Sequence, residues 1–288
     1  MLKDPTAHHL MQTRIVQDKP LTSAEEAFYG WFLTNKEFVL GRKRQLTMED
    51  MDEFVISKEN THGISLEEVE RDKKFLTTIR NGVGQKDKIE RAEIFEAIVG
   101  RFAENADWFG GYVVKTLEYD DRVNGVDFVI EWESKKGTVR LGVDVTVSQL
   151  ERVQTEIRKS INDLGDGHLS NVKYFRSEVD VDEETGENKK LRLSNIPKVV
   201  IHLDKETIDD LCRLALRVVA KEKGANRELE RTDVATRFLS EMRDQLDGQF
   251  EYLEEMKKEK FIKLYNLLKK RILSARERIN EVLEGRSF

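Results

Sequence analysis

The sequence predicts a mixed α/β fold, a central mixed sheet of α-β-β-β-α-β order flanked by N-terminal helices and a C-terminal helical region. Three observations carry that prediction. Apolar residues recur at helical spacing through the first hundred residues and again after Asp204. Between Gly111 and Leu203 they alternate with polar residues, as half-buried strands require. Only three prolines occur in 288 residues, so long helices can run without interruption. These changes of period divide the chain into residues 1–86, 87–203 and 204–288.

In chain order, Ser23-Ala-Glu-Glu26 reads as a capping box, in which the hydroxyl and the carboxylate each satisfy an orphan backbone N–H. It opens a helix with Phe28, Trp31 and Phe32 on one side. Ser65-Leu-Glu-Glu68 opens a second helix, stopped near Asn81-Gly82. A third, from about Asp87 to Asn105, carries the stripe Ala92, Phe95, Val99, Phe102, Ala103. Strands follow at Tyr112 to Leu117, Val126 to Trp132 and Thr138 to Val147, separated by turns at Asp120–Gly125 and Lys135–Gly137. A helix from about Gln149 to Leu164 leads to a fourth strand, Val172 to Arg176. An exposed hairpin from Val179 to Leu193 and a last strand, Lys198 to Leu203, complete this part. Asp204 can cap a helix that Gly224 ends. Two more helices follow, divided near Asp247-Gly248. In the last one Phe261, Leu264, Leu268, Ala275, Ile279 and Val282 form a 3-4 stripe interrupted by Arg271. That stripe suits either a coiled-coil seam joining two copies of the chain or a hairpin packed on its own preceding helix.

Composition narrows the function classes. No apolar run approaches a membrane span and the first residues lack an apolar signal region, so the expected setting is cytoplasmic, with no membrane partner. The single cysteine, Cys212, excludes an internal disulfide and a multi-cysteine zinc site, and it lies in the apolar stripe Leu211, Leu214, Ala215, Val218. His8, His9, His62, His168 and His202 show no metal-ligand spacing. A net charge of −6 leaves nucleic-acid binding to local patches. The short basic clusters are Arg42-Lys43-Arg44, Lys189-Lys190 with Arg192, and Lys269-Lys270-Arg271; clusters of this size are usually solvated surface.

The chemistry concentrates on two strands. Alternation places Val126, Phe128, Ile130 and Trp132 on one face and Asp127, Val129 and Glu131 on the other. In the next strand Gly142, Asp144, Thr146 and Ser148 share a face. Antiparallel pairing then brings Asp127 and Asp144 to one polar face of neighbouring strands. Two carboxylates so placed repel, and a hard divalent cation relieves that repulsion. Glu96, at the margin of the third helix's apolar stripe, is positioned to lean over the sheet's end, whereas Glu93 and Glu104 point further away.

With Glu96, Gly125-Val-Asp127 and Val143-Asp-Val-Thr146 in that element order, the segment from about Asp87 to Leu203 resembles the PD-(D/E)xK nuclease superfamily. The resemblance implies a Mg2+- or Mn2+-dependent endonuclease acting on DNA. Glu96, Asp127 and Asp144 would be the metal ligands, and Asp127 and Asp144 part of the catalytic set. Thr146 stands where the family has its lysine. Either the copy is inactive or another lysine reaches in. Lys173 is the first candidate, because the fourth strand is expected parallel beside the third; Lys159 and Lys115 come after it. Glu131 reads as a solvated edge residue rather than a further ligand, Gln154 and Glu156 as a solvated helix face, and Asp120 and Asp121 as turn residues. The alternative to an enzyme is a non-catalytic interaction protein that uses residues 204–288 to bind a partner or a second copy.

Overall fold

A computed structural model describes residues 20–40, 47–55, 63–82, 90–135, 137–147, 150–165, 168–255 and 262–286. His8, His9, His62 and the cluster Arg42-Lys43-Arg44 lie outside these residues. Helix α1 (Ser23–Leu40) is followed by a short 3-10 helix (Met48–Phe54), α2 (Leu66–Gly82) and α3 (Glu90–Ala97), which widens into a π-type turn over Ile98–Ala103. Strands β1 (Tyr112–Lys115), β2 (Phe128–Trp132) and β3 (Val139–Thr146) come next, then α4 (Leu150–Gly165), β4 (Ser170–Val181), β5 (Asn188–Ile196) and β6 (Lys198–His202). The rest is helical: α5 (Lys205–Val219), α6 (Ala225–Glu230), α7 (Asp233–Glu255) and α8 (Ile262–Arg286).

The chain is therefore mixed α/β. A four-stranded sheet has the order β1-β2-β3-β6, antiparallel in its first two pairings and parallel between β3 and β6. This corrects the expected neighbour of β3. The strand after α4 pairs instead with β5 as a separate antiparallel ribbon, and β6 takes the place beside β3. Sequence order hid this because β4 extends to Val181 and folds back through Asp182–Glu187, so the expected short strand and exposed hairpin are one long ribbon.

Local signals mostly hold, some shifted. The first capping box is Thr22 with Glu25: the Thr22 backbone N–H donates to the Glu25 carboxylate at 2.7 Å, and the Glu25 N–H donates to the Thr22 hydroxyl at 3.1 Å. The Glu68 N–H donates to Ser65 Oγ at 3.2 Å, and Asp204 accepts from the Thr207 N–H at 2.8 Å. Helix α7 runs straight through Asp247-Gly248, because Leu246, Gln249 and Leu253 stay buried on either side and outweigh the roughly 1 kcal/mol cost of one helical glycine. Helix α5 ends earlier than expected, and Gly224, with φ +92°, precedes α6.

One apolar cluster holds the body together. It joins Phe28 of α1, Phe95 and Ile98, the sheet face of Phe128, Ile130, Leu141, Val143 and Ile201, Leu211 and Cys212 of α5, Phe238 and Met242 of α7, and Leu268, Ala275 and Ile279 of α8. Of the two readings of the last helix's stripe, the intramolecular hairpin is the one observed: Leu268, Ile272, Ala275 and Ile279 are buried in their own chain. The opposite sheet face is also covered. Val114, Val126 and Val129 pack against Val172, Phe175, Leu193 and Ile196 of the ribbon. A third, small cluster of Met51, Phe54, Ile64, Val69 and Leu76 sits on Leu117 and Tyr174.

Candidate metal centre

At the end of the sheet where β1 stops and β2 begins, three carboxylates converge. Oxygen atoms of Glu96, Asp121 and Asp127 all lie within 4.8 Å of one another. Each arrives from a different element. Glu96 is half-buried at the edge of α3, flanked by the buried Phe95, Ala97, Ile98 and Val99. Asp121 comes from the wide helical turn Asp120–Asn124, closed by Gly125 at φ +60°. Asp127 stands one residue before β2. Val126 packs with Val129 rather than with Phe128, so alternation starts only at Phe128 and the chain turns just at Asp127. Its Oδ2 accepts the Val145 backbone N–H at 2.7 Å, which fixes the carboxylate along the sheet.

Asp120 explains why the turn holds its shape. It is fully buried, and its carboxylate accepts the backbone N–H groups of Lys173 (2.7 Å) and Tyr174 (2.9 Å) and the side-chain amide of Asn124 (2.6 Å). Burial outweighs those bonds and pushes its pKa up to about 6. The neighbouring residue, Asp121, is thereby held at the triad.

A lysine stands among the acids. Lys115 Nζ lies 2.9 Å from Glu96 Oε2, 3.8 Å from Asp121 Oδ2 and 3.8 Å from Asp127 Oδ1, with its side chain only 7% exposed. Its ammonium sits 4.7 Å from the centre of the Phe128 ring, the residue paired with it across β1 and β2. Burial alone would lower its pKa, but Glu96, Asp121 and Asp127 together raise it, so it stays charged. Asp127 is held well above the usual carboxylate range: burial is the largest cause, Lys115 opposes it, and the charges of Asp121, Glu96 and Asp144 add to it. Fully ionised, three carboxylates and one ammonium leave a formal charge of −2, which suits a divalent cation bound by oxygen donors.

The expected site residues divide accordingly. Glu96 and Asp127 are brought together. Asp144 is outside the triad; its Oδ2 lies 3.7 Å from Lys198 Nζ of β6, and its charge acts on Asp127. Asp121, expected to be a turn residue, takes its place. Lys173 does not serve the centre. Its ammonium is engaged by Glu68 at 2.6 Å and by Asp72, both on α2, because β4 belongs to the ribbon and not to the central sheet. Lys115, the later candidate, is the lysine at the triad. Lys159 and Gln154 are exposed on α4, Glu156 is half-buried there, and Thr146 pairs with His202 across β3 and β6.

Glu131 is not a solvated edge residue. It is completely buried under the ribbon, accepting from Arg140 (2.8 Å), Ser177 Oγ (2.8 Å) and the Glu178 N–H (2.7 Å). Cys212 is buried as expected, and burial pushes its thiol pKa far up. No helix among the described residues is long and apolar enough to cross a membrane. No protein-family model, curated protein sequence or solved structure matches the chain.

Proposed function

We propose that the chain is a Mg2+- or Mn2+-dependent nuclease of the PD-(D/E)xK kind, hydrolysing phosphodiester bonds in DNA. The observation that supports this reading is the convergence of Glu96, Asp121 and Asp127 around Lys115 at one end of a mixed sheet. The donor set fits a hard cation: carboxylate oxygens only, from three separate elements, with one of them fixed by a backbone N–H. Glu96, Asp121 and Asp127 would hold the ion, which when bound supplies Lewis acidity and a water acidic enough to attack a phosphodiester. Lys115 does the work that Thr146 cannot, because its ammonium is beside the same carboxylates and is held charged by them. Asp144 and Lys198 set the charge on the β6 side.

The test is Mn2+-dependent cleavage of plasmid and single-stranded DNA. Asp127→Asn and Asp121→Asn should abolish it, and Asp144→Asn should leave residual activity. Cutting that persists in the first two variants removes the assignment. A second reading, a non-catalytic protein, is favoured by one observation: Lys115 already balances part of the triad's charge as an internal ion pair. Calorimetry separates the two, since the scaffold binds no Mn2+.

A further inference from the structure

We propose that the β4–β5 ribbon is a binding surface for the phosphate backbone of a nucleic acid, masked in this structure by the acidic N-terminal segment formed by Met48–Phe54 and α2. Four cations line one side of the ribbon: Lys173 and Arg176 from β4, Lys190 and Arg192 from β5. Arg176 and Lys190 are register partners, and an irregularity between Val172 and Phe175 lets Lys173 and Arg176 reach the same segment despite their odd spacing. Each cation meets a carboxylate from the masking segment. Lys173 pairs with Glu68 and Asp72, Arg176 and Lys190 share Glu53, and Arg192 lies 3.4 Å from Glu68. Three carboxylates thus stand against four cations, the arrangement a run of phosphates would take.

The pairs are poor stabilisers. Glu53 is 44% exposed, Arg176 35% and Arg192 54%, and ion pairs this wet contribute about 0–1 kcal/mol each. A polyanion can therefore compete for Arg176, Lys190 and Arg192, whereas Lys173 stays held by the buried Asp72. The masking segment stays docked on Leu117 and on Tyr174 of the ribbon through its small apolar cluster, so a polyanion displaces the carboxylate side chains and not the segment. The ribbon also leads to the metal centre, because the Lys173 N–H is bonded to Asp120, the residue before Asp121. The choice of nucleic acid as ligand rests on the nuclease reading; the binding itself needs no metal.

The test uses the full chain in EDTA, with fluorescence anisotropy of a labelled single-stranded DNA across a salt titration. Glu53→Gln with Glu68→Gln should raise affinity at least about tenfold at low salt. Three freed cations should also steepen the slope of log K against log salt by about 2, at roughly 0.7 per phosphate contact. Adding Arg176→Glu and Lys190→Glu should remove the gain. Affinity unchanged within about twofold, or a gain that survives those two reversals, overturns the proposal. Should the double variant unfold, Glu53→Gln alone, at a half-exposed position, frees two cations and should still steepen the slope by about 1.4; no steepening there overturns it equally. Because no metal is present, a binding gain without Mn2+ cleavage refutes only the nuclease reading, and cleavage without the gain refutes only the masked ribbon.

Discussion

Replacing Lys115 by Met would remove the ammonium from the triad while keeping an unbranched side chain across from Phe128. With an effective dielectric of about 20, its contacts at 2.9, 3.8 and 3.8 Å are each worth about 4–6 kcal/mol of Coulomb attraction. Each carboxylate pair within 4.8 Å repels by about 3.5 kcal/mol or more on the same scale. Without the lysine those repulsions stand alone, and the folded protein should lose about 3–5 kcal/mol near neutral pH, the usual cost of breaking a buried ion pair from one side. Asp127, already held above the usual range by burial with Lys115 opposing, holds its proton more tightly once the lysine is gone, so its folded pKa rises further above the unfolded value of about 4. The folded state then binds more protons than the unfolded one, and stability falls as pH rises through that window. The deficit against the parent should therefore be large near pH 7 and close toward pH 4. Mn2+ should restore much of it near pH 7, by replacing the lost positive charge. Urea denaturation at both pH values, with and without Mn2+, reads all of this. A variant as stable as the parent at neutral pH, or a deficit indifferent to both pH and Mn2+, would refute the electrostatic reasoning.

Three further outcomes are expected. Arg91 donates to the completely buried Glu25, joining α3 to α1, so Arg91→Met should cost about 3–5 kcal/mol in chemical denaturation. Burial acts to raise the Glu25 pKa, but Arg91 and the Thr22 N–H outweigh it and lower it; the pair's contribution is thus complete above about pH 4.5 and lost on acidification, which a pH series on parent and variant will show. Gln245 both accepts from the Val200 N–H (2.9 Å) and donates to its carbonyl (2.6 Å), closing the outer edge of β6, and Gln245→Ala should cost about 1–3 kcal/mol by urea titration. Asp120, with its pKa raised from 3.8 to about 6, binds a proton more tightly when folded, so parent stability should fall by about 3 kcal/mol relative to Asp120→Asn as pH rises through that interval.

Periodicity made the helix-then-strands order visible, and with it two of the triad's three acids. Glu96 was legible because its place at the edge of an apolar stripe is fixed by helical geometry, and Asp127 because it directly precedes the alternation of β2. Asp121 was not, since Asp-Asp-Arg-Val-Asn-Gly has the composition of a plain turn; only the bonds from Asp120 to β4 curl it toward the other acids. The expectation that β4 would carry Lys173 to the side of β3 went astray for a related reason: strand pairing depends on contacts distant in sequence, and nothing local says that β4 leaves the sheet for β5. Glu131 looked exposed because alternation assigns faces but does not say what covers them. The apolar residues Val172, Phe175, Leu193 and Ile196 were the available signal that a second layer lies there.

The burial of α8 has a bearing on how the protein reaches this state. Leu268, Ile272, Ala275 and Ile279 complete a core whose β3 residues Leu141 and Val143 were synthesised more than a hundred residues earlier, and α8 packs against both β3 and β5. Contacts so far apart along the chain are slow to form. During translation the face of Leu141 and Val143 must wait, wet and adhesive, until residues near Ile279 emerge, and a nascent chain halted before that point should be a client for chaperones.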